Sequence, residues 1–403
     1  MLSPRIVLGA AAVGLIAAVA PAAATAPAPR GVGPGCAHAT AAVAHYPGGL
    51  VLAPQPAGAP VACSVSTGFP GAESHLLVTD QQAIIYTPAV VPAGVLGTGE
   101  GPAVDGNQQG NANPAGLAVS TDLGAHWSLV RPYGLTWNPT DHADFLDRRT
   151  GRVLFEDYGP IPLAPVLGAL QEGPAHIMWS DDRVHWHHTA IAGLVLPENP
   201  RFTAASAPAG EPKPSHYADV LYFCANTNVG FTTPAIQARL CYKSLDGGSS
   251  WTQTTTLLRA LAPVHPECGV TGEQFSAIDG YYPEATSDGA LYTLIACGGK
   301  TFLARSTDEG SSFPIVRDLT PLGLPVDAIT ALGSGPQLRI DPANHFYLVY
   351  PRLVAGNVAR LMLRVSDDFG RTWSRPTDVT APAVTSILRW QVAARDPGQL
   401  ALS

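Results

Sequence analysis

Charge is scarce in this chain. Asp, Glu, Lys and Arg make up 13% of its 403 residues, the formal net charge is −8, and no Lys or Arg occurs from residue 31 to residue 130. An acidic chain without a basic stripe excludes nucleic acid as a partner. Also missing is any Cys-x-x-Cys spacing among the six cysteines, so a thiolate zinc site has no basis in the sequence and neither metal nor cofactor is expected. Long apolar runs are lacking apart from Ile6 to Ala20, which is shorter than the ~20 residues of a membrane span. Arg5 precedes that run and Ala22-Ala23-Ala24 follows it, the pattern of a signal peptide cleaved after about residue 24. A secreted, extracellular protein with no membrane span is therefore expected. Its cysteines then read as disulfide partners. Six allow 15 connectivities, of which three local pairs are favoured: Cys36 with Cys63, Cys224 with Cys241, and Cys268 with Cys297.

What the chain does have is a short signature that occurs five times. Ser120-Thr-Asp122-Leu-Gly124-Ala-His-Trp127 is the first copy. It returns at Ser244 to Trp251 around Asp246, at Ser306 to Phe313 around Asp308, and at Ser366 to Trp373 around Asp368. A worn copy, Ser180-Asp-Asp182-Arg-Val184-His-Trp186, is one residue short and carries Val184 at the glycine position. The central aspartates stand at 122, 182, 246, 308 and 368, at intervals of 60, 64, 62 and 60 residues. A fixed period filled with short strand-like runs marks a propeller or a solenoid. Within the fifth repeat, Gln337 to Ile340, a turn at Asp341-Pro-Ala-Asn344, His345 to Tyr350 and Arg360 to Arg364 precede the signature, which gives four strands per repeat. A sixth opening, Trp390 to Ala393 and Gln399 to Leu402, has no signature after it. By the spacing of the earlier repeats, some 20–30 residues of that repeat are missing, unless strands at Gly49 to Ala53 and Val61 to Ser66 complete it and cover its open edges.

The signature resembles the Asp-box, or bacterial neuraminidase repeat, of sialidases and related β-propellers. The resemblance covers essentially the whole chain after the signal peptide. It implies an all-β, six-bladed sialidase-like propeller over residues 71–403 whose last blade is incomplete, preceded by a linker with blade-closing strands over 25–70. It also implies structural duty for Asp122, Trp127, Asp182, Trp186, Asp246, Trp251, Asp308, Phe313, Asp368 and Trp373. Each carboxylate accepts backbone N–H groups of its own turn, and each aromatic ring wedges between neighbouring sheets.

In such a fold the ligand end is the one opposite the signature turns, where the residues ahead of each first strand gather. Those positions read as Glu73 and His75, Asp141 and His142, His216, Glu273, Gln337, and Arg389 with Trp390, groups that suit a carbohydrate or another polar ligand. His185, His187 and His188 fall on an outer strand that splits them between two faces. Sialidases clamp the sugar carboxylate with arginines, the first of them in an Arg-Ile-Pro motif ahead of the first Asp-box. Here no arginine lies between Arg30 and Arg131. The leading expectation is therefore a secreted module that binds a glycan or an extracellular protein. An exo-acting, sialidase-type glycoside hydrolase is the second, with Asp141, Glu73 or Glu284 as acid and Tyr281 or Tyr350 as nucleophile. A structural cell-envelope interaction protein is the third.

Overall fold

The computed structural model describes residues 44–45, 51–52, 75–81, 83–87, 117–122, 124–130, 143–157, 174–195, 197–227, 238–256, 283–297, 300–324, 335–354, 358–381, 387 and 390–402. After a small antiparallel pair, β1 (Ala44–His45) and β2 (Val51–Leu52), come five sheets of four strands, each an antiparallel meander in chain order. Blade one holds β3 (His75–Val78), β4 (Ile84–Thr87), β5 (Leu117–Ser120) and β6 (Ser128–Val130). Blade two holds β7 (Ala143–Asp147), β8 (Arg152–Asp157), β9 (Pro174–Ser180) and β10 (His187–Val195). Blade three holds β11 (Pro197–Ala205), β12 (Val220–Thr227), β13 (Ala238–Ser244) and β14 (Thr252–Thr256). Blade four holds β15 (Glu284–Ala285), β16 (Leu291–Cys297), β17 (Lys300–Ser306) and β18 (Ile315–Asp318). Blade five holds β19 (Gln337–Ile340), β20 (Phe346–Val354), β21 (Val358–Ser366) and β22 (Thr377–Asp378). Among the described residues a sixth unit contributes β23 (Val392–Ala394) and β24 (Leu400–Leu402). No described helix is long and apolar enough to cross a membrane.

The first strands touch one another in sequence, β3 to β7, β7 to β11, β11 to β15, β15 to β19 and β19 to β23, so they ring a common axis and the sheets radiate from it. Successive blades bury their faces against each other in five apolar clusters. Ile85 and Leu117 meet Val153 and Phe155; Ile177 and Trp179 meet Phe202 and Phe223; Val220 and Tyr222 meet Phe302 and Phe313. Leu294 and Leu303 meet Phe346 and Leu348, and Val349 and Leu361 meet Trp390 and Val392. Second strands are covered on both sides, which is why Leu221–Ala225 and Phe346–Tyr350 are buried without alternation. The sixth unit reaches back to blade one through charge. Asp80 Oδ1 accepts from Arg395 and from Arg148, each at 3.1 Å, and Arg148 also donates to the Arg395 carbonyl at 3.3 Å. Among the described residues the ring thus shows six positions, five of them filled by whole blades. The five whole blades and the circular order of their first strands make the chain a β-propeller.

All five signatures lie between third and fourth strands. In the first, the Ser120 hydroxyl donates to Asp122 Oδ1 (2.8 Å) and accepts from the Gly124 N–H (2.8 Å). The His126 N–H donates to Asp122 Oδ1 (2.9 Å), and the Trp127 indole donates to the Gly124 carbonyl (3.0 Å). The third and fifth copies repeat these bonds through Asp246 and Asp368, with Ser250 and Thr372 hydroxyls on the second carboxylate oxygen. The His126 backbone N–H, followed by its ring, holds the Asp122 carboxyl down at about 2. Trp186, Trp251 and Trp373 pack against the clusters between blades, and Phe313, with no N–H to satisfy, is buried outright. The worn copy corrects the sequence reading. Arg183, not Val184, takes the glycine's place: its φ is +65°, its N–H donates to Ser180 Oγ (2.7 Å), and its carbonyl accepts from the Trp186 indole (3.3 Å). The copies at Asp246, Asp308 and Asp368 turn left-handed at two successive residues, Gly247 and Gly248, Glu309 and Gly310, and Phe369 and Gly370, whereas the shortened copy does so at Arg183 alone.

Cys224 and Cys241 form a disulfide between directly opposed residues of β12 and β13. Cys36, Cys63 and Cys268 lie outside the described residues, as does the Cys297 side chain. The bridge spans 17 residues, so a Cys224→Ser/Cys241→Ser protein should lose about 3 kcal/mol from restored freedom of the unfolded chain. Urea unfolding of both proteins measures it, and equal midpoints would mean that the bridge carries no stability.

Candidate functional site

Because each first strand runs towards the turn that leads into its second strand, every first strand begins at the end opposite the signature hairpins. At that end, where blade one meets blade two, three side chains converge. His75 opens β3 and is paired across the sheet with Thr87, which ends β4; opposed residues share a face, and it is the face on which Leu77 packs against blade two. Thr87 is fully buried. Its hydroxyl lies 2.9 Å and 2.8 Å from the two carboxyl oxygens of Asp144, the second residue of β7.

One hydroxyl proton serves one of those oxygens. The second short contact is satisfied when Asp144 is itself protonated and donates to Thr87 Oγ1. Burial drives the same way and raises the Asp144 carboxyl to about 7, against the opposing pulls of the Thr87 hydroxyl and the Arg201 charge. Arg201, on β11, directs one guanidinium N–H to the Pro200 carbonyl at 2.7 Å. The junction thus combines an imidazole, a hydroxyl, a carboxyl poised near neutrality and a nearby guanidinium. It can donate a hydrogen bond, or a proton, to an electronegative ligand atom.

The sequence pointed to His75 and missed Asp144, Thr87 and Arg201. The available signal was a carboxylate at an inward strand position, since Asp144 shares its strand face with the buried Leu146. Glu73, Asp141, His142, Glu273, Tyr281 and Arg389 lie outside the described residues.

The other expected site residues are placed elsewhere. His216 is exposed in the turn between β11 and β12, on the same rim as the signature hairpins. The expectation had placed His216 ahead of a first strand, but the strand that follows it, Val220–Thr227, is the second of its blade, and Pro197–Ala205, which carries two prolines, is the first. Trp390 is 2% exposed, wedged among Val349, Leu361 and Val392, so its ring fills core instead of facing a ligand. Gln337 ties that segment in place, donating to the Trp390 carbonyl (3.1 Å) and accepting from the Val392 N–H (3.3 Å). Tyr350 is buried between blades four and five, where its oxygen accepts from Arg364 Nε at 3.1 Å. Glu284 accepts from Arg339 Nη1 at 3.1 Å, and Arg339 Nε donates to the Val392 carbonyl at 2.7 Å. That guanidinium ties together the first strands of blades four, five and six. Burial raises the Glu284 carboxyl and the Arg339 charge opposes it. Of the histidines on blade two, His185 bonds Asp182 (2.6 Å), His187 stacks on Trp179 and His188 on His176.

No family model and no curated protein matches the chain. Solved structures do match. A sialidase, Hz136, of Hadza microbial origin is 15% identical with a TM-score of 0.45; the match covers 83% of this chain and 62% of that one, so this chain spans less than two thirds of the sialidase. An ulvan lyase of polysaccharide lyase family PL25 is 10% identical, covering 76% and 69%, with a TM-score of 0.41. The α-L-arabinofuranosidase Arb93A from Fusarium graminearum is 14% identical, covering 65% and 74%, with a TM-score of 0.42. The chain's own sheet order and ring of first strands carry the fold assignment.

Proposed function

We propose that the protein is an exported carbohydrate-binding propeller that holds its ligand at the end opposite the signature hairpins, beside the junction of blades one and two. The observation that carries this reading is Asp144, a carboxyl raised to about 7 and held by Thr87. Near neutral pH it retains a proton that an ordinary aspartate has lost, and a ligand atom can take that hydrogen bond over from Thr87 Oγ1. Sugar hydroxyls and ring oxygens are the ligand atoms best matched to such a donor with an imidazole and a guanidinium close by. Export is supported by the apolar leader expected at residues 1–24 and by the Cys224–Cys241 bridge.

The same carboxyl supports a second reading, exo-acting glycoside hydrolysis with Asp144 as the general acid, because that role requires a raised carboxyl. Two variants separate the readings. Asp144→Asn keeps a donor but has no transferable proton; Asp144→Ala has neither. For a binding module, glycan-array binding should occur without turnover of fluorogenic glycosides, survive in the Asn variant and fall at least ~10-fold in the Ala variant. For a hydrolase, turnover should be present and vanish in both. Glycan binding that is untouched by Asp144→Ala would remove the site from the account, and an array with no bound glycan and no turnover would remove the ligand class.

A further inference from the structure

Burial raises the carboxyls of Asp219, Glu284 and Asp144 alike. The first two have a cation in bonding distance: Asp219 accepts from Arg149 Nη1 at 2.7 Å and Glu284 from Arg339 Nη1 at 3.1 Å. Asp144 bonds the neutral Thr87 hydroxyl instead. The elements packed around it supply no closer charge. On β3, His75 shares the face of Thr87. On β8 the residue opposite Asp144 is Phe155; Glu156 falls on the other face, and Asp157 stands two positions beyond Phe155. On β11, Arg201 pulls the carboxyl down by its charge, without a hydrogen bond to it, and turns one N–H to the Pro200 carbonyl.

A carboxylate drawn out of water without a counter-ion is costly, and a carboxyl that keeps its proton avoids that cost. What the proton can do follows from exposure. Thr87 is fully buried and Asp144 half-buried, so solvent and a ligand reach the carboxyl but not the hydroxyl behind it. An ionised Asp144 can only accept hydrogen bonds, whereas the protonated form also donates. Resting on the carbohydrate-binding reading of this site, we infer that ligand and proton bind there together, so that acid loads the site and alkali empties it. The rise of the carboxyl to about 7 sets the change near neutrality. Below that pH the affinity is constant. Each pH unit above it weakens binding about tenfold, because the free site must first regain its proton.

The test is a printed glycan array read at pH 5.5 and pH 8.5, followed by titration calorimetry with the glycan that gives the strongest signal at pH 5.5. Binding by the unaltered protein should fall at least ~10-fold between the two pH values. Calorimetry at pH 8 in buffers of different ionisation heat should show uptake of about one proton per ligand bound. Asp144→Asn keeps an N–H donor and leaves His75 in place but has no proton to lose, so its binding should be equal at both. Equal binding by the unaltered protein at both pH values overturns the inference and leaves the carbohydrate reading standing. A fall of the same size in the Asn variant also overturns it, since another group, such as His75, would then carry the change. An array with no bound glycan at either pH removes the carbohydrate reading and the inference with it. Should Asp144→Asn fail to fold, the proton count decides alone, and no uptake at pH 8 overturns the inference.

Discussion

At pH 8 the Asp144→Asn protein should resist chemical unfolding better than the unaltered protein, by about 2–4 kcal/mol, and the advantage should vanish near pH 4. The sign follows from the direction of the shift. In the folded protein the Asp144 carboxyl is raised from its ordinary 3.8 to about 7, chiefly by burial. Between pH 4 and pH 7 the native state therefore keeps a proton that the unfolded chain has lost, and native stability declines across that window before levelling off. About three units at 1.36 kcal/mol each set a ceiling near 4 kcal/mol, and partial solvent access lowers it. Asparagine has nothing to ionise, and it can still accept from Thr87. Denaturant midpoints at pH 4.5 and pH 8 provide the measurement. If the difference between the two proteins is the same at both values, Asp144 is not held protonated and the proposed donor is lost. A substitution that strengthens the fold while weakening ligand handling is the exchange expected where a strained group is kept for its chemistry.

Asp341→Ala should act in the opposite direction and cost about 3 kcal/mol. Burial alone would raise this carboxyl, but donors outweigh it, led by the Gly398 N–H (2.9 Å) and His345, and hold it at about 2. The His345 N–H (3.0 Å), His345 Nδ1 (2.8 Å), the Ala343 N–H (2.9 Å) and the Tyr347 hydroxyl (2.8 Å) complete the set. Removing the carboxylate leaves the buried Tyr347 hydroxyl and four part-buried N–H donors without their acceptor at once, a loss that adds up over the set. Because this carboxyl is depressed, its contribution is present above pH ~4 and disappears as pH falls through about 2. Gly398 belongs to the turn between β23 and β24, so the local consequence is a loosened sixth unit. Hydrogen exchange in 395–402 should rise more than in blade three. A loss under about 1 kcal/mol would falsify this account of the junction between blade five and the sixth unit.

The architecture was legible because its staples are local. A serine two residues before an aspartate, a glycine or its stand-in, and an aromatic residue close a turn within one short stretch, so five turns could be counted along the chain without knowing what they touch. Strands with alternating or fully apolar character, such as Ile84–Thr87 and Gln337–Ile340, were equally plain. Pro197–Ala205 was not, since its prolines and polar residues masked a first strand, and His216 was assigned to the wrong end as a result. Trp390 read as a ligand contact from its place just ahead of a first strand; only the packing of the sixth unit on Val349 and Leu361 shows that it fills core. Arg183 was hidden because a one-residue deletion leaves a single left-handed residue to make the hydrogen bonds that a glycine makes in the other copies. Asp144 escaped for a different reason: its raised carboxyl comes from burial in the folded protein, and the groups that oppose the rise, Thr87, 57 residues away, and Arg201 on the next blade, do not lie near it in the chain.

Each signature turn satisfies its own polar groups within eight residues, borrowing no hydrogen bond for this from the far end of its sheet. The molecule is consequently modular along its axis. Loops at one end can lengthen, shorten or exchange side chains across evolution while the clasps at the other keep every sheet in place, so new recognition properties can arise without rebuilding the scaffold.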